Sequence, residues 1–598
     1  MTAYRAPLRD IRFVLEHIAG LADLARLDAF AHADPDMVTG VLDEAARFCE
    51  EVVAPSNRDG DTEGSNLVDG GVVTPDSFKK AYRTYVESGW GALHHEPELG
   101  GGGFPLVVAN AFKEMLTSAN MAFSLGPLLT TGAVYALSHH ADEVQQQTYL
   151  PKMVTGEWTG TMNLTEPQAG SDVGAVTTRA IPVDDGSYRI TGNKIFITYG
   201  EHDMVDQIIH LVLARLPDAP PGTRGISLFV VPKYLINEDG SLGDRNDVKV
   251  VSVEHKLGIH GSPTCVMAYG EDGDGAIGYL AGEPHGGMRA MFTMMNDARL
   301  GVGIEGLSIA ERAYQQALDY AKERRQGRAP GAEPGVQSPI IEHADVRRML
   351  MTMKAYIEAM RCLTYANGAA IDRAANDPDP DVKAHQQKLA DLYTPLSKAW
   401  CTDLGVELTS LALQVHGGMG YIEETGVAQH FRDARIAPIY EGTNGIQAID
   451  LVGRKLPYDG GAFVKGFIED LREQAEGLDG DPLGSISAGL VDAVDTLAAT
   501  VGWLAERRED FNDVLAGATP FLRMMASVVG GVMLGRSAAK AAELVDDASG
   551  ADRAFYEAKI VTARFYVEQL IPQVDGLAAQ VTAGAADLFA LTAEQLGG

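Results

Sequence analysis

The chain has 598 residues, 45% hydrophobic and 22% charged, with 82 acidic against 49 basic residues and a formal net charge of −33. At about 100–200 residues per domain this is a multidomain protein with enough apolar material for several cores, which excludes disorder as its main state. The negative balance repels phosphate backbones and anionic lipid surfaces, so no nucleic-acid partner is expected. The opening MTAYRAPLRDIRFVLEHIAG holds no apolar core of signal-peptide length. The most apolar run, Met524–Leu534, lies between Arg523 and Arg536 and is short for a span, so no transmembrane segment is expected. Cys49, Cys265, Cys362 and Cys401 are widely spaced and form no CxxC, so the reading has no metal site, no disulfide framework and a reduced, cytoplasmic setting.

In chain order, residues 37–159 read as helical. VLDEAARFCEEVVAP (Val41–Pro55) has helical apolar spacing and stops at a proline, and Ser77–Ser88 is a second helix before the glycine run Gly100–Gly103. The pattern changes over 160–282. YRITGNKIFITYG (Tyr188–Gly200) is strand-like with a turn signal at Thr191–Gly192–Asn193, and Gln207–Leu216 and Gly225–Pro232 are further strands. Residues 283–455 return to helix, with the longest run at Ala298–Arg325 and a Pro/Gly-rich break at Ala329–Gln337. Residues 456–598 form an additional alanine-rich helical block, and residues 1–36 a helical N-terminal extension. The expected class is α+β, mostly α.

Six segments carry polar chemistry. MNLTEPQAGSD (Met162–Asp172) offers hydroxyls and a glycine suited to a phosphate or a ring edge, and equally an ordinary turn. KIFIT (Lys194–Thr198) could cover a ring with Phe196 and hydrogen-bond it with Thr198, or could be a core strand. NDAR (Asn296–Arg299) could hold a phosphate or carboxylate through Arg299, although solvation is the commoner fate of arginine. ERRQGR (Glu323–Arg328) gathers basic charge at a helix end, where the macrodipole alone favours it. QVHGGMGY (Gln414–Tyr421) permits close backbone contact or a plain helix stop, with His416 read as structural. In IYEGTNGIQ (Ile439–Gln447), Glu441 sits between an apolar run and a glycine turn, a setting that raises a carboxylate toward a useful base; a solvated residue before a helix cap fits as well.

Together and in this order, LTEPxAGSD, KxFIT, the arginine opening a long helix, ERRQ, QVHGGMGY and RDxxIxxIYEGTN resemble the acyl-CoA dehydrogenase family over about residues 40–455. The resemblance implies an N-terminal helical domain, a middle β-barrel-like domain and a C-terminal helical bundle, followed here by the extra helical domain. It implies FAD, bound with help from a neighbouring subunit. By match to the family pattern, Leu164, Thr165, Ser171, Phe196, Thr198, Arg324, Gln414, Gly417, Gly418 and Thr443 are expected at the cofactor. Ser171, Asn296, Arg299, Tyr440 and Gly442 are expected at the acyl-CoA, and Glu441 is the expected catalytic base. The chain departs from the pattern at three places. Asn296 stands where an aspartate is frequent, ERRQGR lacks the phenylalanine of ERRQFGK, and Asn444-Gly445 follows Thr443 where the family has x-Gln. Family members that carry the base on the long helix place it at the position of Ala298, which cannot act as one.

The resemblance implies α,β-dehydrogenation of an acyl-CoA thioester to the trans-2-enoyl-CoA, with an electron-transferring flavoprotein as acceptor and a homodimer as the assembly. APLRDIRFVLEH, HKLGIHGSPTC and the length are most similar to the large forms that act on 3-methylmercaptopropionyl-CoA. A fatty acyl-CoA dehydrogenase and an acyl-CoA oxidase share the same motifs. A DNA-associated branch of the family has a basic extension, whereas residues 455–598 here hold 22 acidic against 11 basic residues.

Overall fold

The computed structural model describes residues 3–597, apart from the side chain of Asn296. The chain opens with a short helix, Leu8–Val14 (α1), that buries Ile11, Phe13 and Val14. Pro35–Phe48 (α2) starts with a proline at its first position and with the Asp34 carboxylate accepting from the N–H groups of Asp36 and Met37. Asp76–Glu87 (α3), Leu106–Ala119 (α4), Met121–His140 (α5) and Glu143–Thr155 (α6) complete this helical layer.

The β region has eight main strands: Thr159–Asn163 (β1), Arg179–Pro182 (β2), Tyr188–Thr198 (β3), Ile208–Arg215 (β4), Ile226–Pro232 (β5), Val248–Val253 (β6), Thr264–Tyr269 (β7) and Ala276–Ala281 (β8). Their order is β6-β7-β3-β8-β5-β4-β1, and β2 pairs with both β3 and β4, closing a ring. β4 and β5 are buried almost throughout, which explains their largely apolar sequences. The turn expected at Thr191–Gly192–Asn193 does not form, because β3 runs straight through it. Gly192 serves close approach instead: at φ +152° it lies where a Cβ would meet Thr178 at 2.6 Å.

The long helices Gly287–Glu323 (α7), Ala344–Asn376 (α8) and Pro380–His416 (α9) form the main bundle, with Val427–Ala434 (α10) and Asn444–Asp450 (α11) at its edge. α7 and α9 touch through backbone: a Cβ on Gly306 would lie 2.2 Å from the Cys401 carbonyl. This contact brings side chains of α7 next to those of α9.

The additional block comprises Ala462–Glu476 (α12), Gly484–Glu506 (α13), Phe511–Val545 (α14), Gly550–Phe565 (α15) and Gln573–Thr582 (α16). α14 seats Gly530 on the Trp400 ring and on Ala359, so the extension shares the core of the bundle. A buried ionic cluster ties it further. Arg361 of α8 bonds Glu114 of α4 at 2.6 Å, Glu311 of α7 at 2.9 Å and Asp10 of α1, and Lys559 of α15 joins through Asp10 and through Glu358 at 3.0 Å.

The expectation that no segment is apolar enough for a membrane does not hold by length and composition. Met121–His140, Gly484–Glu506 and Phe511–Val545 all qualify. The most apolar stretches of the first and third are 83% buried inside the fold, so their apolarity is used against other helices; that of Gly484–Glu506 is 33% buried.

Candidate active site

Glu441 sits in the turn between α10 and α11. The Asn444 N–H bonds the Pro438 carbonyl at 3.0 Å and closes the loop. Glu441 and Gly442 both have positive φ, +55° and +80°. Such a backbone is costly for glutamate, and the surrounding structure must hold it. At Gly442 a Cβ would meet Gln447 at 2.9 Å, so glycine is required there for space as well as φ. Thr443 caps α11 by accepting from the Ile446 N–H at 3.3 Å.

Asn444 anchors this loop to α9. Its amide donates to Ala399 O and Asp403 Oδ1 at 3.1 and 2.7 Å, and its carbonyl accepts from Lys398 Nζ at 2.8 Å. Lys398 is buried, and burial pushes its ammonium down to about 8 while Glu441, foremost among its acidic neighbours, holds it up. Arg299, far from being solvated, is only 6% exposed and lies close to Gly442. Burial pushes the Glu441 carboxyl above its ordinary value, and the positive Lys398 and Arg299 pull it partway back. Among the described residues, Glu441 Oε2 is buried without a hydrogen-bond partner. A carboxylate so placed keeps a free lone pair for a proton from outside the protein.

Replacing Lys398 by methionine removes the cation that does most to keep Glu441 ionised. The rising limb of the kcat/KM–pH profile is therefore expected to move to higher pH, because the base must lose its proton without that help. Profiles recorded over pH 5–9 would check the direction, and a downward shift would contradict the argument.

Sequence reasoning missed Lys398, Asn444 as an anchor, and Glu305. Glu305 of α7 is 2% exposed and accepts a hydrogen bond from the Tyr440 hydroxyl. The only sequence signal for it was a charged residue in an otherwise apolar helical stretch, GVGIEGLSIA.

Apart from Thr443, which lies in the Glu441 turn, the residues expected at the cofactor fall into two groups. Leu164 and Thr165 meet β3 directly: Lys194 Nζ donates to Leu164 O at 3.0 Å, and Ile195 N–H to Thr165 O at 2.9 Å. Glu166 locks this junction through its buried ion pair with Lys194 at 2.8 Å. Opposite β7, Cys265 pairs with Ile197 but Met267 with Lys194, so a bulge inserts at Ile195–Phe196. Phe196 takes φ +60° there and is 58% exposed, so the bulge rather than simple alternation presents its ring. Thr198 is half-buried and Ser171 exposed in the turn before β2.

The second group lies at the other end of α7. Tyr320 stacks on His416 with centroids 4.4 Å apart, which joins the end of α7 to the Gln414–Gly418 corner and gives His416 the structural role expected of it. Gln414, Gly417, Gly418 and Arg324 are exposed, and nothing lies within 4 Å of where a Cβ on either glycine would project. The side chain of Asn296 is outside the described residues.

These surfaces fit a flavin dinucleotide. An exposed aromatic face stands in the same strand as a threonine hydroxyl, and a glycine corner leaves backbone open beside an arginine and a glutamine. Ser171, Phe196, Arg324, Gln414, Gly417 and Gly418 are exposed, whereas Leu164, Thr165 and Thr198 are half-buried.

Comparison with known proteins agrees with this architecture. Family models match in order as "Acyl-CoA dehydrogenase, N-terminal domain" over residues 39–157, "middle domain" over 161–270, "C-terminal domain" over 285–456, and "Acetyl-CoA dehydrogenase C-terminal like" over 462–592. The chain is 47% identical to a 3-methylmercaptopropionyl-CoA dehydrogenase of Ruegeria pomeroyi, covering 97% of this chain and 98% of that one. It is 37% identical to a butyryl-CoA dehydrogenase of Syntrophomonas wolfei over 96% of each. A solved acyl-CoA dehydrogenase of Bacillus anthracis, complexed with FAD, superposes with a TM-score of 0.74 at 19% identity over 92% of this chain and 88% of that one.

Proposed function

The chain belongs to the acyl-CoA dehydrogenase family of FAD-dependent enzymes, and we propose that its substrate is 3-methylmercaptopropionyl-CoA, which it converts to methylthioacryloyl-CoA with Glu441 as the base. The observation that carries the assignment of Glu441 is its buried carboxyl, held on a strained turn between two cations with one oxygen unpartnered among the described residues. The near full-length 47% identity supports the substrate.

The thioester α-carbon gives its proton to the Glu441 carboxylate. The bonding electrons form the α,β double bond as the β-hydrogen leaves with its electron pair. FAD, when bound, supplies the acceptor for that hydride. A thioester α-proton is too weakly acidic for an unaided carboxylate, so the carbonyl must be polarised. The backbone N–H of Glu441, in the same turn as the base, would serve as the donor. Burial keeps water off the carboxyl and so keeps its basicity high. Leu164, Thr165, Phe196, Thr198 and Thr443 would hold the ring end of the cofactor, and Ser171 its pyrophosphate.

Arg324, Gln414, Gly417 and Gly418 would serve the site of a second copy. Twenty-five residues of α7 separate Arg299 from Arg324, about 37 Å of helix, so one cofactor-binding surface lies far from the base of its own chain. This separation supports the reading of a homodimer with two shared sites, and an electron-transferring flavoprotein is the fitting acceptor for this family.

The test is an anaerobic titration of the purified flavoprotein. 3-Methylmercaptopropionyl-CoA is expected to bleach the flavin, air to reoxidise it slowly, and an electron-transferring flavoprotein to reoxidise it quickly. A protein without flavin would refute the cofactor reading. Bleaching by butyryl-CoA alone would refute the substrate.

A further inference from the structure

A cavity opens between α3, α4, α5 and α7. It is small, about 30 Å³, and most of its wall is apolar, with Tyr85, Trp90, Phe112 and Leu128; Glu305 lines it as well, and so does Lys113, which pairs with Asp297 at 3.6 Å. A carboxyl is out of place in such a wall unless something answers it. One oxygen is answered: Oε2 accepts from the Tyr440 hydroxyl. The other, Oε1, is buried without a hydrogen-bond partner among the described residues.

The surroundings decide its protonation. Burial pushes Glu305 up to about 8, against the Tyr440 bond, and the neighbouring Glu441 adds repulsion. Lys398, whose charge acts the other way, already bonds Asn444. Shut in this wall beside a second carboxyl, Glu305 therefore favours its neutral form at pH 7. With Oε2 engaged as an acceptor, the proton belongs on Oε1, which makes that atom a hydrogen-bond donor in search of an acceptor. Tyr440 is the residue next to Glu441 and meets Glu305 with its hydroxyl, so this donor is tied to the base through one side chain.

We propose that Glu305 is a specificity-determining residue, selecting short acyl-CoA chains that carry a hydrogen-bond acceptor beyond the β-carbon, a thioether sulfur or an ether oxygen, over hydrocarbon chains of equal length. A hydrocarbon chain leaves the buried O–H unanswered, whereas an acceptor at that point satisfies it. Sites with a buried polar group discriminate in this way because the unmatched ligand leaves the group unpaired. The proposal rests on acyl-CoA dehydrogenation at Glu441 and extends it to the class of acyl chain.

The experiment compares 3-methylmercaptopropionyl-CoA, 3-methoxypropionyl-CoA and pentanoyl-CoA, which have equal chain lengths, in the wild-type flavoprotein, Glu305→Gln and Glu305→Leu. The wild type is expected to favour the two heteroatom chains in kcat/KM by about three- to tenfold, the range of one net hydrogen bond. Glu305→Leu is expected to abolish that ratio. Glu305→Gln, which keeps an amide donor, is expected to retain most of it. An unchanged ratio in Glu305→Leu would overturn the proposal. Flavin content and melting temperature report whether that variant folds; should it not, the wild-type ratio decides, and equal turnover of the three chains overturns the assignment. Turnover of none of them would instead defeat the reading of Glu441 and the substrate.

Discussion

Glu441→Gln is expected to bind FAD and acyl-CoA with near wild-type affinity and to lose turnover by about 10²–10⁴-fold or more. Glutamine keeps the volume of the side chain and can occupy the same turn, where φ is +55°. It removes the only property the chemistry needs, a lone pair that can take and hold a proton. The effect should fall on kcat with little change in KM, because the interaction is made in the transition state and not in the ground state. The neighbours make a rescue improbable in physical terms. Glu305 is bound to Tyr440 and held neutral, and Ala298 offers no group. Stopped-flow reduction of the flavin by 3-methylmercaptopropionyl-CoA, with substrate affinity from an anaerobic titration, would measure both quantities. A variant that reduces its flavin at the wild-type rate would remove Glu441 from the mechanism.

The second large effect is on stability. Arg361→Ala is expected to destabilise the holoenzyme by about 3–5 kcal/mol, the range for removing one partner of a buried ion pair. Arg361 is fully buried and is the shared cation for Glu114, Glu311 and Asp10, while the Tyr365 hydroxyl donates to Glu114 at 2.7 Å. Alanine leaves these carboxylates in a low-dielectric interior, with Lys559 reaching only Asp10. Burial already pushes Glu114 above its ordinary value, and losing Arg361 pushes it further. A group with a raised folded pKa supports the fold below its unfolded value, about 4.5, and loses that support as pH rises through the folded value. The deficit of the variant should accordingly be small near pH 5 and widen toward pH 8. Melting curves of the two proteins at both pH values would show this, and a deficit independent of pH would mean that the cluster acts by packing alone. Because the cluster joins α1, α4, α7 and α8, with Lys559 bringing in α15, its loss should also loosen the extension from the bundle, visible as faster hydrogen exchange in residues 550–565.

Much of the fold was legible because its signals are local. Helical spacing from Val41 and from Ala298 and the apolar runs of β4 and β5 report what each segment buries within a few residues of itself. The motif order carried the family, and Ala298 pointed to Glu441 by excluding the alternative base. Local signals failed where a distant segment intervened. The Thr191–Gly192–Asn193 turn signal was overridden by Thr178, which needs a glycine beside it in a straight strand. The apolar stretch of α14 lacked context until Trp400 and Ala359 were seen against Gly530.

The sequence by itself determined the succession of helical, β and helical domains, the acidic extension, the family, and the candidate base. Only the tertiary structure decided what surrounds that base: Lys398 from α9, Arg299 and Glu305 from α7, and a turn held open by Gly442. The reason is physical. Periodicity records which face of an element is buried, whereas the proton affinity of a carboxyl depends on which charges share its enclosure. Those charges lie up to 142 positions away along the chain and meet Glu441 only through the backbone contact of α7 with α9 and the anchoring of Asn444.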